Sequence, residues 1–98
     1  MSDESDSQRE RYAIRIAKTA EKDLFNLQTK QFAQVAKKIF SLQGNPQPQD
    51  CKQLEGYPGG YRIDQGEYRI LYTIDDELLT VDIFRIGKRN DGEVYRNL

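Results

Sequence analysis

The spacing of the hydrophobic residues changes near residue 60, and this change limits the folds that the chain can adopt. Before it, apolar residues recur at the three-and-four spacing of an amphipathic helix. They are Phe32, Val35, Ala36, Ile39 and Phe40. After it, apolar and polar residues alternate through "YRI", "YRILYTI" and "LLTVDIFRI". This period of two predicts three strands, each with one buried face.

The first forty-five residues complete the predicted topology. The stretch "RYAIRIA" alternates and predicts a strand over residues 11–17. Thr19 is a candidate cap for a first helix that carries Leu24 and Leu27, and "GNP" at residues 44–46 ends the second helix. We therefore expect an α+β fold in the order β-α-α-β-β-β, a mainly antiparallel four-stranded sheet with two helices on one face and a short C-terminal helical turn.

Length and composition indicate one small domain. The chain has 98 residues, of which 37% are apolar, and we assign residues 11–98 to a single domain. Residues 1–10 contain four acids and three serines, a composition that predicts a disordered acidic tail. No apolar run approaches the roughly 20 residues that cross a bilayer, and the polar N-terminus is unlike a secretory signal. We expect a cytoplasmic protein without membrane contact.

The residue types that are missing exclude several kinds of chemistry. The chain has no histidine and a single cysteine, Cys51, which excludes histidine-assisted nucleophiles and makes a transition-metal site improbable. We expect neither a metal nor a cofactor, so that catalysis would depend on Arg, Lys, Tyr or carboxylates. The formal net charge of −1 gives the molecule no broad positive field that would attract bare nucleic acid.

The predicted sheet brings two arginines together on one face. A hairpin loop centred on "DQGE" places Ile63 opposite Tyr68 and Arg62 opposite Arg69, and opposed like charges destabilise a sheet unless an anion lies between them. Either a ligand supplies this anion or nearby acids neutralise the arginines. The candidate acids are Asp64, Glu67 and Asp82.

The second predicted hairpin adds further candidates on the same face. A loop at "DDEL" gathers the apolar residues on one side when the pairs are Ile74 with Leu79, Tyr72 with Val81 and Ile70 with Ile83. Lys88 and Arg89 then leave the neighbouring strand on the side of the arginines, and Tyr95 follows. Guanidinium groups, a lysine and an aromatic ring form a set suited to binding phosphate and stacking on a base.

These segments carry a family resemblance. The order "LEGYPGGYRIDQGEYRILY" and "IFRIGKRNDGEVY" after a strand and two helices resembles the RelE-type toxins of bacterial toxin–antitoxin modules, within the RelE and ParE superfamily. The likeness runs from about Tyr12 to the end. It implies a metal-independent mRNA endoribonuclease that enters the ribosomal A site and cleaves the message through attack by its own 2′-hydroxyl. It also implies a RelB-like antitoxin partner, with operator DNA bound only through the antitoxin complex.

The resemblance also implies roles for individual residues. Arg62 and Arg69 would hold phosphate oxygens and stabilise charge in the transition state. Arg89 would assist the leaving oxygen, with Lys88 in support. Tyr95 would stack on or orient the cleaved nucleotide.

Asp64 departs from the pattern of many relatives, which carry a second basic residue at this position. An ionised aspartate can take the 2′-hydroxyl proton as a general base, and an aspartate at the head of "DQGE" is also typical of a turn cap. Both interpretations stay open, and so do two other functions. One is a ParE-like toxin that targets gyrase; the other is a decayed toxin that only binds its antitoxin and acts as a corepressor.

Overall fold

Residues 11–89, which the computed structural model describes, form a mixed sheet with two helices on one face. The strands are β1 (Ala13–Ile16), β2 (Lys52–Gln53), β3 (Gly60–Gln65), β4 (Tyr68–Asp75) and β5 (Thr80–Lys88), and the helices are α1 (Lys18–Phe25) and α2 (Thr29–Ser41). The strand order is β1-β5-β4-β3-β2, with β1 parallel to β5 and all other pairs antiparallel.

This arrangement confirms the predicted α+β class, the two helices and the mainly antiparallel sheet. The predicted number of four strands is wrong, because β2 pairs with the outer edge of β3 and adds a fifth strand. A strand of two residues is too short to show an alternating pattern in the sequence. The predicted acidic tail at residues 1–10 and the predicted C-terminal helical turn lie outside the described residues.

The main core lies between the helices and the inner face of the sheet. Buried residues four positions apart on each helix face the strands, as expected for amphipathic helices. The helices contribute Ala20, Leu24, Val35 and Ile39, and the strands contribute Ile63, Ile70, Tyr72, Val81, Ile83 and Ile86. Within residues 11–89, neither helix is long and apolar enough to cross a membrane.

Side chains of α1 form hydrogen bonds with β5 beyond the residues that pair with β1. β1 pairs only with the first four residues of β5. Beyond them the Thr19 hydroxyl donates to the Phe84 carbonyl at 2.8 Å. The Asp23 carboxylate accepts from the Ile86 amide at 2.9 Å and from Arg85 Nε at 3.0 Å. Thr19 is therefore not the helix cap that the sequence predicted, because its hydroxyl satisfies the sheet instead.

The hairpin between β3 and β4 turns within two residues, Gly66 and Glu67. Gly66 has a φ of 61°, and glycine adopts this left-handed conformation without steric strain. A positive φ at only the first loop residue is typical of a type II′ turn. The tighter turn moves the register by two residues from the predicted one, so that Arg62 lies opposite Leu71 and not opposite Arg69.

The register between β4 and β5 also differs from the predicted one. Tyr72 lies opposite Ile83 and Ile70 opposite Ile86, two and three residues further along β5 than predicted. The extra residue is Phe84, which the ladder leaves unpaired as a β-bulge. A bulge changes which residues of a strand face the core, and no spacing in the sequence indicated one here.

A second, smaller core covers part of the outer face of the sheet. Leu71 is 0% exposed because Leu54, Tyr57 and Phe84 pack over it. The rings of Tyr57 and Phe84 stack with their centroids 5.1 Å apart. The segment between β2 and β3 thus folds over the outer face.

We expect Gly60→Ala to destabilise the protein by about 1–3 kcal/mol, since it overpacks this smaller core. A Cβ at Gly60 would lie 2.7 Å from Tyr57 Cδ1 and 3.1 Å from the Tyr57 carbonyl oxygen, so the ring stacked on Phe84 has to move. Urea unfolding monitored by circular dichroism measures the effect. Gly44→Ala is the matched control, because no atom lies within 4 Å of a Cβ there. Equal stability of the two variants would contradict the expectation.

Candidate active site

Three side chains form a cluster of ion pairs at one end of the outer face. Arg69 donates from Nε to Asp64 Oδ1 at 2.8 Å and from Nη2 to Asp64 Oδ2 at 3.3 Å. Arg89 Nε lies 3.3 Å from the same Oδ2. One carboxylate therefore contacts two guanidinium groups, and we call these residues the Arg69–Asp64–Arg89 cluster.

The hairpin positions all three members of the cluster. Asp64 and Arg69 are directly opposite each other on β3 and β4, and opposed residues point to the same face of a sheet. Arg89 follows β5 and is held by the turn itself, because its amide donates to the Glu67 carbonyl at 2.8 Å and its Nη1 to the Gly66 carbonyl at 3.2 Å. The two-residue turn thus sets the positions of both arginines.

The exposed fraction of the side chains increases across the cluster. Arg69 is 16% exposed, Asp64 34% and Arg89 48%. Arg69 thus lies deepest in the cluster, and Arg89 lies on its solvent side. A ligand arriving from solvent meets Arg89 and Asp64 first, and it has to compete with the carboxylate for the guanidinium of Arg69.

The two arginines control the ionisation of Asp64. The hydrogen bonds from Arg69 are the main cause that lowers the pKa of Asp64, and partial burial acts in the opposite direction. The positive charges of Arg69, Arg89 and Arg62 lower the pKa further. Asp64 is therefore ionised at neutral pH, and with this lowered pKa it is a weak proton acceptor.

These contacts decide between the interpretations of the paired arginines and of Asp64. Neutralisation by a nearby acid is confirmed for Arg69, which pairs with Asp64. Asp82 instead pairs with Arg15, with Nε and Oδ1 3.2 Å apart. The turn-cap interpretation is wrong, since Asp64 lies within β3 and its carboxylate binds guanidinium groups. The general-base role stays a hypothesis.

Arg62 lies on the same face as the cluster but faces a different neighbour. Across the β3–β4 pair it is opposite Leu71, and across the β2–β3 pair it is opposite Lys52. Its charge contributes to lowering the pKa of Asp64, so it lies near the cluster without a direct bond to it. No feature of the sequence indicated Lys52, because the segment around it predicts only a loop.

Of the other two predicted site residues, the structure describes only Lys88, which does not join the cluster. Lys88 is directly opposite Tyr68, and Tyr68 packs against the main core. The strand pairing therefore places Lys88 on the helix-covered face. The prediction that Lys88 leaves β5 on the side of the arginines is therefore wrong. The β-bulge at Phe84 explains the error, since it reverses the alternation along the rest of the strand. Tyr95 lies outside the described residues.

Known proteins are similar to this chain in sequence and in fold. Residues 14–92 match the family described as "ParE toxin of type II toxin-antitoxin system, parDE". Toxin RelG of Mycobacterium tuberculosis is 35% identical over 86 residues, which are 87% of this chain and 97% of RelG. The mRNA interferase toxin RelE of Escherichia coli is 33% identical over 64 residues, which are 63% of this chain and 66% of RelE. The toxin–antitoxin complex RelBE2 of Mycobacterium tuberculosis gives a TM-score of 0.73 at 36% identity, covering 83% of this chain and 94% of that chain.

Asp64→Asn should lower the melting temperature at neutral pH, because an amide cannot form the two ion pairs. The folded-state pKa of Asp64 lies below its ordinary value of 3.8. Its contribution is therefore fully present above that value and is lost as the pH falls through the lower, folded-state pKa. The difference between wild type and variant should disappear in strong acid, as measured by thermal unfolding across a pH series.

Asp82→Asn is the matched control for this pH series. Asp82 pairs with an arginine that is 65% exposed, and such exposed pairs contribute little to stability. We expect a smaller difference at neutral pH for this control than for Asp64→Asn. A difference for Asp64→Asn that persists unchanged in strong acid would contradict the assignment to the ionised carboxylate.

Proposed function

Because this chain belongs to the ParE toxin family of type II toxin–antitoxin systems, we propose that it is a ribosome-dependent mRNA endoribonuclease. The observation that supports this activity is the convergence of Arg69 and Arg89 on one point of the outer sheet face, with Arg62 nearby. Guanidinium groups aimed at one point suit a phosphate whose charge increases during reaction. The similar RelE of Escherichia coli is named an mRNA interferase.

The proposed reaction uses the message as its own nucleophile. The 2′-hydroxyl oxygen attacks the adjacent phosphorus, a bond from that oxygen to phosphorus forms, and the bond to the 5′-oxygen of the next nucleotide breaks. The products are a 2′,3′-cyclic phosphate and a free 5′-hydroxyl. The 2′-hydroxyl loses one proton and the leaving oxygen gains one, so the reaction consumes no cofactor and no metal ion takes part in the proposed step.

Each arginine has a separate role in this proposal. Arg69, the least exposed member of the cluster, binds the non-bridging oxygens where charge accumulates, and a partly desolvated cation acts there most strongly. Arg89 lies on the solvent side and assists the leaving 5′-oxygen. Arg62 holds the phosphate backbone beside the scissile bond. Tyr95 stacks on the nucleotide that is cut.

We assign Asp64 a positioning role and not that of general base. Its carboxylate fixes the orientation of Arg69 and Arg89 through two ion pairs. These pairs also lower its pKa, which weakens it as an acceptor for the 2′-hydroxyl proton. When the message binds, its phosphate takes the place next to the guanidinium groups that the carboxylate occupies in the free protein.

The proposed partners follow from the same family. The RelBE2 structure is a toxin–antitoxin complex, and we propose that a RelB-like antitoxin likewise holds this chain inactive. The ribosome with a message in its A site is the proposed target, and this target places the protein in the cytoplasm. Operator DNA would be bound only through the antitoxin complex, since the chain has a formal net charge of −1.

Expression of the chain without its antitoxin should stop growth and produce messenger cuts that follow the codon phase on translated transcripts. Mapping of messenger 5′ ends before and after induction measures this. A ParE-like action on gyrase would instead give DNA damage without codon-phased cuts. A chain that acts only as an antitoxin-binding corepressor would leave growth unchanged, and either result would contradict the proposed activity.

Arg69→Ala should reduce the cleavage rate on programmed ribosomes roughly 100-fold or more, the usual effect of removing a donor to a developing oxyanion. Arg62→Ala should have a smaller effect, about tenfold, because Arg62 lies outside the cluster. Single-turnover cleavage measures both. Arg15→Ala is the control, since Arg15 is 65% exposed and pairs with Asp82 on a different row of the sheet. Equal losses for Arg69 and Arg62 would contradict these roles.

A further inference from the structure

Lys52 and Arg62 form a pair of like charges that the sheet brings face to face. They are directly opposite each other on β2 and β3, and opposed residues of antiparallel strands have Cβ atoms about 5 Å apart on the same face. Among residues 11–89 neither side chain has an ion-pair or hydrogen-bond partner. Like charges in this position destabilise a sheet unless an anion binds between them.

Arg62 is an exception among the arginines of the described strands. Each of the other three has a carboxylate within ion-pair distance. The pairs are Arg15 with Asp82, Arg69 with Asp64 and Arg85 with Asp23. Arg62 faces a lysine instead, and Asp64, whose pKa its charge helps to lower, is already bonded to two guanidinium groups. The fold thus neutralises every strand arginine of residues 11–89 except this one.

The surroundings of Arg62 favour binding of an anion. Its other cross-strand neighbour is Leu71, which is fully buried beneath the stacked rings of Tyr57 and Phe84. Arg62 itself is half-buried, and charge interactions are stronger where water is excluded. Lys52 on the opposite side is exposed, so a ligand can reach the pair from solvent.

The pair lies one row from the Arg69–Asp64–Arg89 cluster. The residue opposite Arg62 is Leu71, and Arg69 is two residues away from it on β4. Same-face neighbours along a strand are separated by about 7 Å. This is of the same order as the distance between successive phosphates of a single RNA strand. The two positive sites therefore match two consecutive backbone phosphates.

We propose that Lys52 and Arg62 form a second phosphate-binding subsite, which holds the phosphodiester adjacent to the one that is cleaved. This inference rests on the proposed nuclease function and names a residue, Lys52, that lies in a segment without any predicted role. The subsite carries two cations and no acid. The cluster carries two cations and one carboxylate, so that the Lys52–Arg62 pair provides most of the net attraction for the RNA backbone.

Charge reversal at Lys52 tests the subsite. Lys52→Glu should raise the toxin concentration that gives half-maximal cleavage on programmed ribosomes by about fivefold or more, because one phosphate contact becomes repulsive. Lys37→Ala on the exposed face of α2 is the control and should behave as wild type. The melting temperature of Lys52→Glu should be unchanged or higher, since Glu and Arg62 would form an opposite-charge pair. A lower melting temperature with unchanged cleavage would overturn the proposal and indicate a purely structural role.

A modified message identifies which phosphate Lys52 contacts. A neutral methylphosphonate next to the cleaved bond should weaken cleavage by wild type but produce little further loss with Lys52→Ala, because both changes remove the same contact. If the losses of cleavage caused by the methylphosphonate and by Lys52→Ala are additive on both sides of the cleaved bond, Lys52 contacts ribosomal RNA instead. That result would overturn the assignment. If the wild type cleaves and Lys52→Glu cleaves equally well, this inference alone is overturned. Wild type that does not cleave at all would overturn the proposed function as well.

Discussion

The two-residue turn at Gly66 and Glu67 is the constraint on which the site depends. The left-handed φ of Gly66 allows the chain to reverse within two residues, and this length fixes the register of β3 against β4. The register places Asp64 opposite Arg69 and Arg62 opposite Leu71. The carbonyls of the same turn hold Arg89 through its amide and its guanidinium. A turn longer by two residues would place two arginines opposite each other and leave the carboxylate without its partner.

The outer face concentrates positive charge in a molecule whose formal net charge is −1. At the end of this face near the β3–β4 turn and β2, Lys52, Arg62, Arg69 and Arg89 carry four positive charges beside the carboxylate of Asp64. That carboxylate keeps two guanidinium groups in place through its ion pairs. In the proposed function, a bound phosphate would replace this internal anion with an external one. The guanidinium groups of Arg69 and Arg89 are therefore held in position while their charges are partly neutralised.

The sequence was sufficient for the fold class and for the faces of β3 and β4, but not for the register or for the end of β5. Period-two alternation located β3, β4 and β5, and a register error of two residues leaves each side chain on its predicted face. For this reason Arg62 and Arg69 were correctly placed on one face although their partners were wrong, whereas Asp64 was expected in the loop and lies within β3. The β-bulge at Phe84 reverses the alternation, which is why Lys88 was placed on the wrong side. β2 was missed because two residues carry no periodic signal, and Lys52 was missed with it.

The contacts that α1 makes along β5 have a consequence for the behaviour of the free protein in solution. An unpaired strand edge is a template on which another chain can add a strand. The Thr19 hydroxyl and the Asp23 carboxylate occupy the Phe84 carbonyl and the Ile86 amide of β5, two of the groups that would otherwise form such a template. Within residues 11–89, the edges that remain are the four-residue β1, the two-residue β2, the last three residues of β3 and the last two residues of β5. Edges this short give little support to intermolecular sheet growth, so the fold itself protects a partner-free copy against amyloid-like assembly.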